Sequence, residues 1–343
     1  MIRLNFRRGS AFASKKIRKY LETITPEEVK HIIVIRHAAI GDFMVIRPFL
    51  IEVKKFFPNA KITLNVLRTA QYGIPYDLID NVHIVDKYDP KNKNKKVSLF
   101  YRIKQAKTLP EADFLFDLTD SSLSLLLSFF AKSKIKFAYS YRGVRRMFYD
   151  MATLRSDFVL ESYSALHMLN MLGNKSIELD YGFANRYKKD IKKRIVYFAG
   201  ASIKEKCWEE SKYRDCINKL SDDYQEYEHV ILQGIKEDEK FLDIYESLKD
   251  KTNVRLQTPM ELDEVMQYLS DSSLVVSNDT GIRNMAIAVE TPTVGVFFLT
   301  GAFRYWTRDG KHECVFNLEY TSPSVEDVYN SIKNLLLKIY KVK

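Results

Sequence analysis

From residue 31 onward, short continuous apolar runs alternate with stretches in which apolar residues recur every three or four positions. His31–Arg36 (HIIVIR), Lys61–Leu67 (KITLNVL), Val82–Asp86, Asp113–Leu118 and Ile135–Tyr139 predict strands. Between them, Phe43–Phe57 places Val45, Phe49, Val53 and Phe56 on one helical face, and residues 97–108 and 121–131 also read as helices. A second series follows, with strands expected at Ile195–Ala199 (IVYFA), His229–Gln233 (HVILQ), Val254–Leu256, Leu274–Ser277 and Thr293–Phe297. Helices are expected near Tyr213–Leu220, Glu237–Leu248, Leu262–Leu269 and Ile282–Val289. Strand and helix in strict alternation predict βαβ units, hence an α/β fold built on parallel sheets.

The two series are separated by a polar, basic stretch containing Arg186, Lys188, Lys189, Lys192 and Lys193. This divides the chain into a basic extension over 1–30, a Rossmann-like domain over 31–175, a linker over 176–193, a second Rossmann-like domain over 194–320 and a C-terminal helix over 321–343, expected to pack back on the first domain. Two such domains place a ligand in a cleft between the carboxyl ends of their sheets.

At 343 residues the chain is long enough for two cores, and 46% apolar with 29% charged residues is the composition of a soluble globular protein. Disorder is excluded on the same numbers. Three cysteines, Cys207, Cys216 and Cys314, lack C-x-x-C spacing, and the six histidines lack H-x-x-x-H spacing, so neither a disulfide framework nor a zinc site is expected. The most apolar stretch, Leu123–Ala131, is interrupted by Ser124 and Ser128 and is far short of the roughly 20 residues that span a bilayer, and no secretory h-region is evident. A cytoplasmic location is expected, with any membrane contact peripheral. The net charge is +10, and Arg3, Arg7, Arg8, Lys15, Lys16, Arg18 and Lys19 all precede the first acid, Glu22. A helix from about Ser10 is expected there, either a solvated extension or a docking element for an anionic surface.

Three loops, each between an expected strand and an expected helix, carry the candidate chemistry. In His37-Ala-Ala-Ile-Gly-Asp42, Gly41 permits a tight turn and Asp42 falls at or near a helix start, where it is either a cap or a catalytic carboxylate. Gly41 and His37 are candidate ligand contacts in this loop, His37 being otherwise a packing residue of it. Gly200-Ala-Ser-Ile-Lys-Glu-Lys206 offers backbone N–H groups, the Ser202 hydroxyl and the Lys206 cation to phosphate oxygens, without P-loop spacing. In Ser277-Asn-Asp-Thr-Gly281, Thr280 and Gly281 suit a diphosphate at a helix N-terminus, while the Asp279 carboxylate suits sugar hydroxyls or the loop's own backbone.

These loops resemble glycosyltransferase family 9, the heptosyltransferases of the lipopolysaccharide inner core. The resemblance rests on Ile35-Arg36, Ile40-Gly41-Asp42 and Pro48, then Phe57-Pro58-Asn59-Ala60, then Gly200-Ala-Ser202 with Lys206 and Trp208, and finally the segment 271–300 with its Asp-Thr-Gly and Thr-Pro turns. It implies a GT-B fold and an inverting, metal-independent transfer, with acceptor on the N-terminal domain and nucleotide-sugar, typically ADP-heptose, on the C-terminal one. It further implies that Asp42 is the general base, that Lys206 offsets charge on the departing diphosphate, that Thr280 and Gly281 hold that diphosphate, and that Asp279 orients the donor sugar. The acceptor implied is an anionic lipid-linked oligosaccharide, no cofactor is needed beyond the donor substrate, and no nucleic acid is involved. Consistent with metal independence, no D-x-D triplet occurs. The chain departs from the family pattern at Glu209, Gln233, Asn284, Glu290 and Phe298-Leu299, around the expected donor pocket. Two competing readings keep the fold: another nucleotide-activated donor, or a catalytically silent sugar-nucleotide binder.

Overall fold

A computed structural model describes residues 12–139, 145–187 and 189–341. The chain divides between Asp180 and Tyr181 into two compact units.

The first unit runs β1 (Phe12–Ala13), α1 (Lys15–Leu21), β2 (His31–Ile35), α2 (Ile40–Phe56), β3 (Lys61–Leu67), β4 (Asn81–Val85), β5 (Tyr88–Asp89), β6 (Asn92–Lys96), α3 (Leu99–Lys107), β7 (Ala112–Asp117), α4 (Ser122–Phe130), β8 (Ser133–Tyr139), β9 (Met151–Thr153) and α5 (Glu161–Asn170). Its main sheet has the order β1-β9-β8-β7-β2-β3-β4, parallel except where β1 joins β9. Successive residues of the central strands enter different cores, because side chains alternate across a sheet that helices cover on both faces. Ile32, Val34, Phe114 and Phe116 pack with Phe49 of α2 and Leu166 of α5, whereas Ile33, Ile35 and Leu115 pack with Leu123 and Leu127 of α4. Every one of these is fully or almost fully buried, which is why the strands read as continuous apolar runs.

The second unit runs β10 (Lys192–Phe198), α6 (Glu210–Asp223), β11 (Glu228–Leu232), α7 (Leu242–Glu246), β12 (Val254–Gln257), α8 (Leu262–Ser270), β13 (Ser272–Asn278), α9 (Gly281–Ala288), β14 (Thr293–Phe297), β15 (His312–Phe316) and α10 (Val325–Tyr340). Its sheet is parallel throughout, in the order β12-β11-β10-β13-β14-β15.

Several expectations are corrected. Residues 12–28 are not a free tail: β1 pairs with β9, Ser14 caps α1, and Ile17 is fully buried in the first unit's core. The helix begins at Lys15 rather than near Ser10, which lies with Arg3, Arg7 and Arg8 outside the described residues. Lys192 and Lys193, expected in the linker, open β10, while Lys188 is outside the described residues. The helix expected over 237–248 is broken, because Phe241 takes a left-handed φ of 52° between a 3-10 turn at Glu237–Glu239 and α7. The C-terminal helix packs on its own unit: Lys219 of α6 pairs with Glu326 at 2.6 Å, and Tyr340 donates to the Ser273 carbonyl at 3.0 Å. The hairpin β5–β6, the short β9, α5 and the charged β15 carry no clear periodicity in the sequence.

Candidate functional site

In the first unit the site is the connection from β2 to α2, at the carboxyl end of the parallel sheet. Ala39 is the N-cap of α2 and supplies no side-chain cap, so Asp42 stands inside the first turn and is not the capping residue. Its Oδ1 instead accepts from Arg36 Nη2 at 2.6 Å, and its Oδ2 makes no hydrogen bond among the described residues. Arg36, last residue of the HIIVIR run, is buried and donates through Nη1 to the Leu118 carbonyl at 2.6 Å and to Glu161 Oε1 at 3.1 Å. Glu161, also buried, is held by Arg155, whose Nε donates at 3.0 Å. The guanidinium therefore neutralises a buried carboxylate with one edge and grips a partly exposed one with the other. The first-turn position also sets the Asp42 carboxylate against the positive end of the α2 dipole.

The preceding residues are clamped from β7. Thr119 Oγ1 donates to the Ile35 carbonyl at 3.2 Å and accepts from the His37 backbone at 2.8 Å. Asp117 orders that turn by accepting from the Thr119 and Asp120 backbone and from Tyr149 Oη at 2.7 Å, and its complete burial pushes its carboxyl pKa up. Gly73, with φ +78°, lies so close to Ile40 that a Cβ would meet Ile40 Cγ1 at 2.4 Å, so the start of α2 is packed against it.

His37 belongs to a hydrogen-bonded chain of defined polarity. Its Nε2 lies 2.7 Å from Asn65 Oδ1, and Asn65 Nδ2 lies 2.8 Å from His83 Nδ1 and 3.1 Å from the His83 carbonyl. A carbonyl only accepts, so the amide nitrogen faces His83, and its oxygen must accept from His37 Nε2–H. His83 then accepts at Nδ1 and donates from Nε2 to Thr108 Oγ1 at 2.9 Å, and Thr108 passes its proton to the Gln105 carbonyl at 2.7 Å. This leaves His37 Nδ1 as a bare acceptor. Desolvation holds the His37 pKa down at about 4, so the ring is neutral at physiological pH.

In the second unit the predicted donor residues come together from two loops. Lys206, at the end of a 3-10 turn at Lys204–Lys206 after β10, places Nζ 2.6 Å from Asp279 Oδ2, at the end of β13. The clasp between these loops is Asn278, buried completely. Its Nδ2 donates to the Ala199 carbonyl at 2.7 Å and the Gly200 carbonyl at 3.2 Å, while its Oδ1 accepts from the Trp208 backbone at 3.0 Å and Tyr213 Oη at 3.3 Å. Trp208 is anchored beneath by its Nε1–H to the Pro323 carbonyl. Gly200 is closely packed: a Cβ there would lie 2.9 Å from the Phe198 ring, which would have to shift. Thr280 is the N-cap of α9 with no side-chain cap bond, so its hydroxyl is available, and Gly281 is the first helical residue. Ser202 is exposed in the loop. Asp279 was expected to bond sugar hydroxyls or its own loop; here it neutralises Lys206.

The departures from the family pattern have structural readings. Glu290 takes φ +62° after α9, and its N–H reaches the Ile287 carbonyl at 2.9 Å while that of Thr291 reaches Ala286 at 2.8 Å. That is a Schellman ending, in which the family's glycine is the unstrained residue. Its carboxylate instead pairs with Lys189 at 2.6 Å, which holds its pKa down. Gln233 is buried and donates to the Lys240 carbonyl at 2.7 Å, and Glu209 is the N-cap of α6. Asn284 and Phe298-Leu299 have no explanation in the structure.

The sequence profile of glycosyltransferase family 9 (heptosyltransferase) matches residues 101–331. The chain belongs to glycosyltransferase family 9. None of the curated proteins matches it. Among solved structures, Escherichia coli heptosyltransferase WaaC with ADP-2-deoxy-2-fluoro heptose is 17% identical, with 89% of this chain and 99% of that one covered and a TM-score of 0.70. The family 9 glycosyltransferase of Veillonella parvula DSM 2008 is 18% identical over 92% and 99%, with a TM-score of 0.70. E. coli ADP-heptose lps heptosyltransferase II is 16% identical over 90% and 99%, with a TM-score of 0.64. The fold is GT-B, and the family 9 chain is a glycosyltransferase. Among the described residues no group of His, Cys, Asp and Glu is arranged to hold a metal ion, and no helix is long and apolar enough to cross a membrane.

Proposed function

We propose that this family 9 glycosyltransferase moves heptose from ADP-heptose to a lipopolysaccharide inner-core acceptor, with inversion and without a metal. The observation that carries the reading is the gathering of Lys206, Asp279, Thr280 and Gly281 at the start of α9, a cation beside unpaired N–H groups of the kind that accepts a diphosphate.

On this reading the acceptor hydroxyl gives its proton to Asp42 Oδ2 while Arg36 keeps Oδ1 in place, and the resulting oxygen attacks the anomeric carbon opposite the leaving group. His37 Nδ1, an acceptor without a proton, takes a hydrogen bond from a hydroxyl and repels a phosphate oxygen. An acceptor contact is therefore favoured over a phosphate contact. The nucleoside diphosphate departs toward Lys206 and the α9 N-terminus, which carry the charge a metal would otherwise balance. Once Lys206 turns to phosphate, Asp279 is released for the hydroxyls of the donor sugar. The acceptor would be an anionic lipid-linked oligosaccharide at a membrane face.

The test is turnover of the full chain with ADP-heptose and a panel of other nucleotide-sugars on heptose-deficient lipooligosaccharide, in the presence of EDTA, with the product anomer assigned by NMR. Inverted heptosyl product under chelation is expected. Preference for another nucleotide-sugar would move the reading to a different donor, restoration by Mg²⁺ would remove metal independence, and binding without turnover would mark a silent homologue.

A further inference from the structure

The stretch 87–107 carries Lys87, Lys91, Lys93, Lys95, Lys96, Arg102, Lys104 and Lys107 against one acid, Asp89. It folds as the hairpin β5–β6 followed at once by α3. One side of α3 is tied to the domain: Gln105 bonds the Asp86 backbone in both directions, Tyr101 Oη donates to Asp86 Oδ2 at 3.1 Å, and Ala106 is buried. The opposite side bears Phe100, Lys104 and Lys107, spaced i, i+4, i+7 and so aligned on one face. Phe100 is 86% exposed and its neighbour Leu99 60%, at the end of the helix that adjoins the hairpin. Lys95, Lys96, Lys104 and Lys107 are exposed and form no ion pair among the described residues, whereas Lys16, Lys55, Lys132 and Lys134 of the same unit do.

We propose that the β5–β6 hairpin and the outer face of α3 form a docking surface for an anionic lipid bilayer, with Leu99 and Phe100 entering the interface and the lysines lying over the headgroups. This rests on the proposed function only in supplying a reason for the enzyme to visit a membrane; the surface itself is argued from its chemistry. Two large apolar side chains held out in water cost solvation that burial at an interface recovers, and unpaired lysines around them match an anionic surface. Nucleic acid would use the same charge, but an aliphatic-aromatic tip ringed by lysine gives no hydrogen-bond readout and only one ring for base stacking. The segment is distinct from the basic helix α1, whose Ile17 is committed to the core.

The experiment is co-sedimentation of the full-length protein with phosphatidylglycerol-containing vesicles and with neutral phosphatidylcholine vesicles, across a salt series. Binding to the anionic vesicles that weakens with salt is expected, and little to the neutral ones. A cation near a bilayer surface is worth about fivefold in binding, so Lys95→Glu with Lys104→Glu should lower anionic-vesicle binding by at least tenfold. Leu99→Ser with Phe100→Ser should lower it with the salt dependence retained. Turnover on a soluble, delipidated acceptor should be unchanged in both variants. Unchanged vesicle binding in both, sensitivity only to Lys15→Glu with Lys19→Glu in α1, or loss of single-stranded RNA binding with vesicle binding intact would each overturn the proposal. Failure of the heptosyl reading is seen separately, as absence of heptosyl transfer in a protein that still sediments with vesicles.

Discussion

Lys206 and Asp279, 73 positions apart in the chain, meet at 2.6 Å between the loop after β10 and the loop after β13, each partly shielded from water. The pair holds the cation at the start of α9 before any anion arrives. On the proposed reading a diphosphate would compete with Asp279 for Lys206, and part of its binding energy would go into opening that contact.

Two substitutions separate these contributions. Lys206→Ala should weaken nucleoside diphosphate binding by about 1.5–3 kcal/mol, the range for a hydrogen bond to a charged group, with a smaller effect on the monophosphate. Asp279→Asn should leave diphosphate binding equal or tighter while lowering turnover. Isothermal titration with both nucleotides checks this. Loss of diphosphate affinity in Asp279→Asn would show that the carboxylate positions the lysine and does not compete for it.

Asp42→Asn should reduce turnover by roughly 10² to 10⁴, the usual consequence of losing a general base, with donor affinity nearly unchanged. The fold should persist, because Arg36 retains Glu161 and the Leu118 carbonyl. Steady-state kinetics with a thermal melt as control decides the matter, and near-normal turnover would leave Asp42 as an ion-pair partner of Arg36 only.

Glu290→Gly should stabilise the protein. A non-glycine residue in the left-handed region costs about 1–2 kcal/mol, and the exposed Lys189 pair that would be lost contributes roughly 0–1 kcal/mol. A rise in the melting temperature of the second unit's transition is expected, and a fall would mean that the ion pair outweighs the backbone strain.

His229 is fully buried, with Nδ1 facing Tyr197 Oη at 2.9 Å and Nε2 facing the Tyr224 carbonyl at 3.2 Å, and burial holds its pKa at about 4 against an ordinary 6.5. The unfolded chain therefore takes up a proton below pH 6.5 that the folded chain refuses until near pH 4. Stability from this group is complete above pH 6.5 and declines as pH falls toward 4, by about 1.4 kcal/mol per unit. His229→Gln should be destabilising at pH 7.5, and its deficit relative to the native sequence should shrink by pH 5. Urea unfolding at both pH values measures it, and a constant deficit would contradict the assignment.

Ile17→Ala should cost about 2–5 kcal/mol, as for a core isoleucine. An effect below about 0.5 kcal/mol in denaturant unfolding is what a solvated extension would give.

The central strands of both sheets were legible because they are buried on both faces and so are written as largely apolar runs; Lys61–Leu67 and Thr293–Phe297 end where the structure ends them. Elements whose identity depends on what they pair with were not legible. β15, HECVF, is a strand because it adds in register beside β14, with Gly295 opposite Cys314, and β1 is a strand because β9 is there to receive it. The charge of residues 87–107 was visible in the sequence, but not that α3 turns Phe100 outward.

The sequence by itself determined the α/β class, the three strand-to-helix loops and the family they announce, because local apolar patterning and glycine-bearing turns depend on neighbours only a few residues away. It also singled out Asp42, Lys206, Asp279, Thr280 and Gly281 as candidates. Only the tertiary structure decided what holds them: Arg36 between Asp42 and Glu161, Asn278 across two loops, the Asn65 amide that sets the His37 tautomer, and Asp279 on Lys206. Those partners lie tens of residues apart in sequence, apart from the six between Arg36 and Asp42. Which of many carboxylates and amides comes within hydrogen-bond reach is set by the packing of whole sheets, a property no local pattern contains.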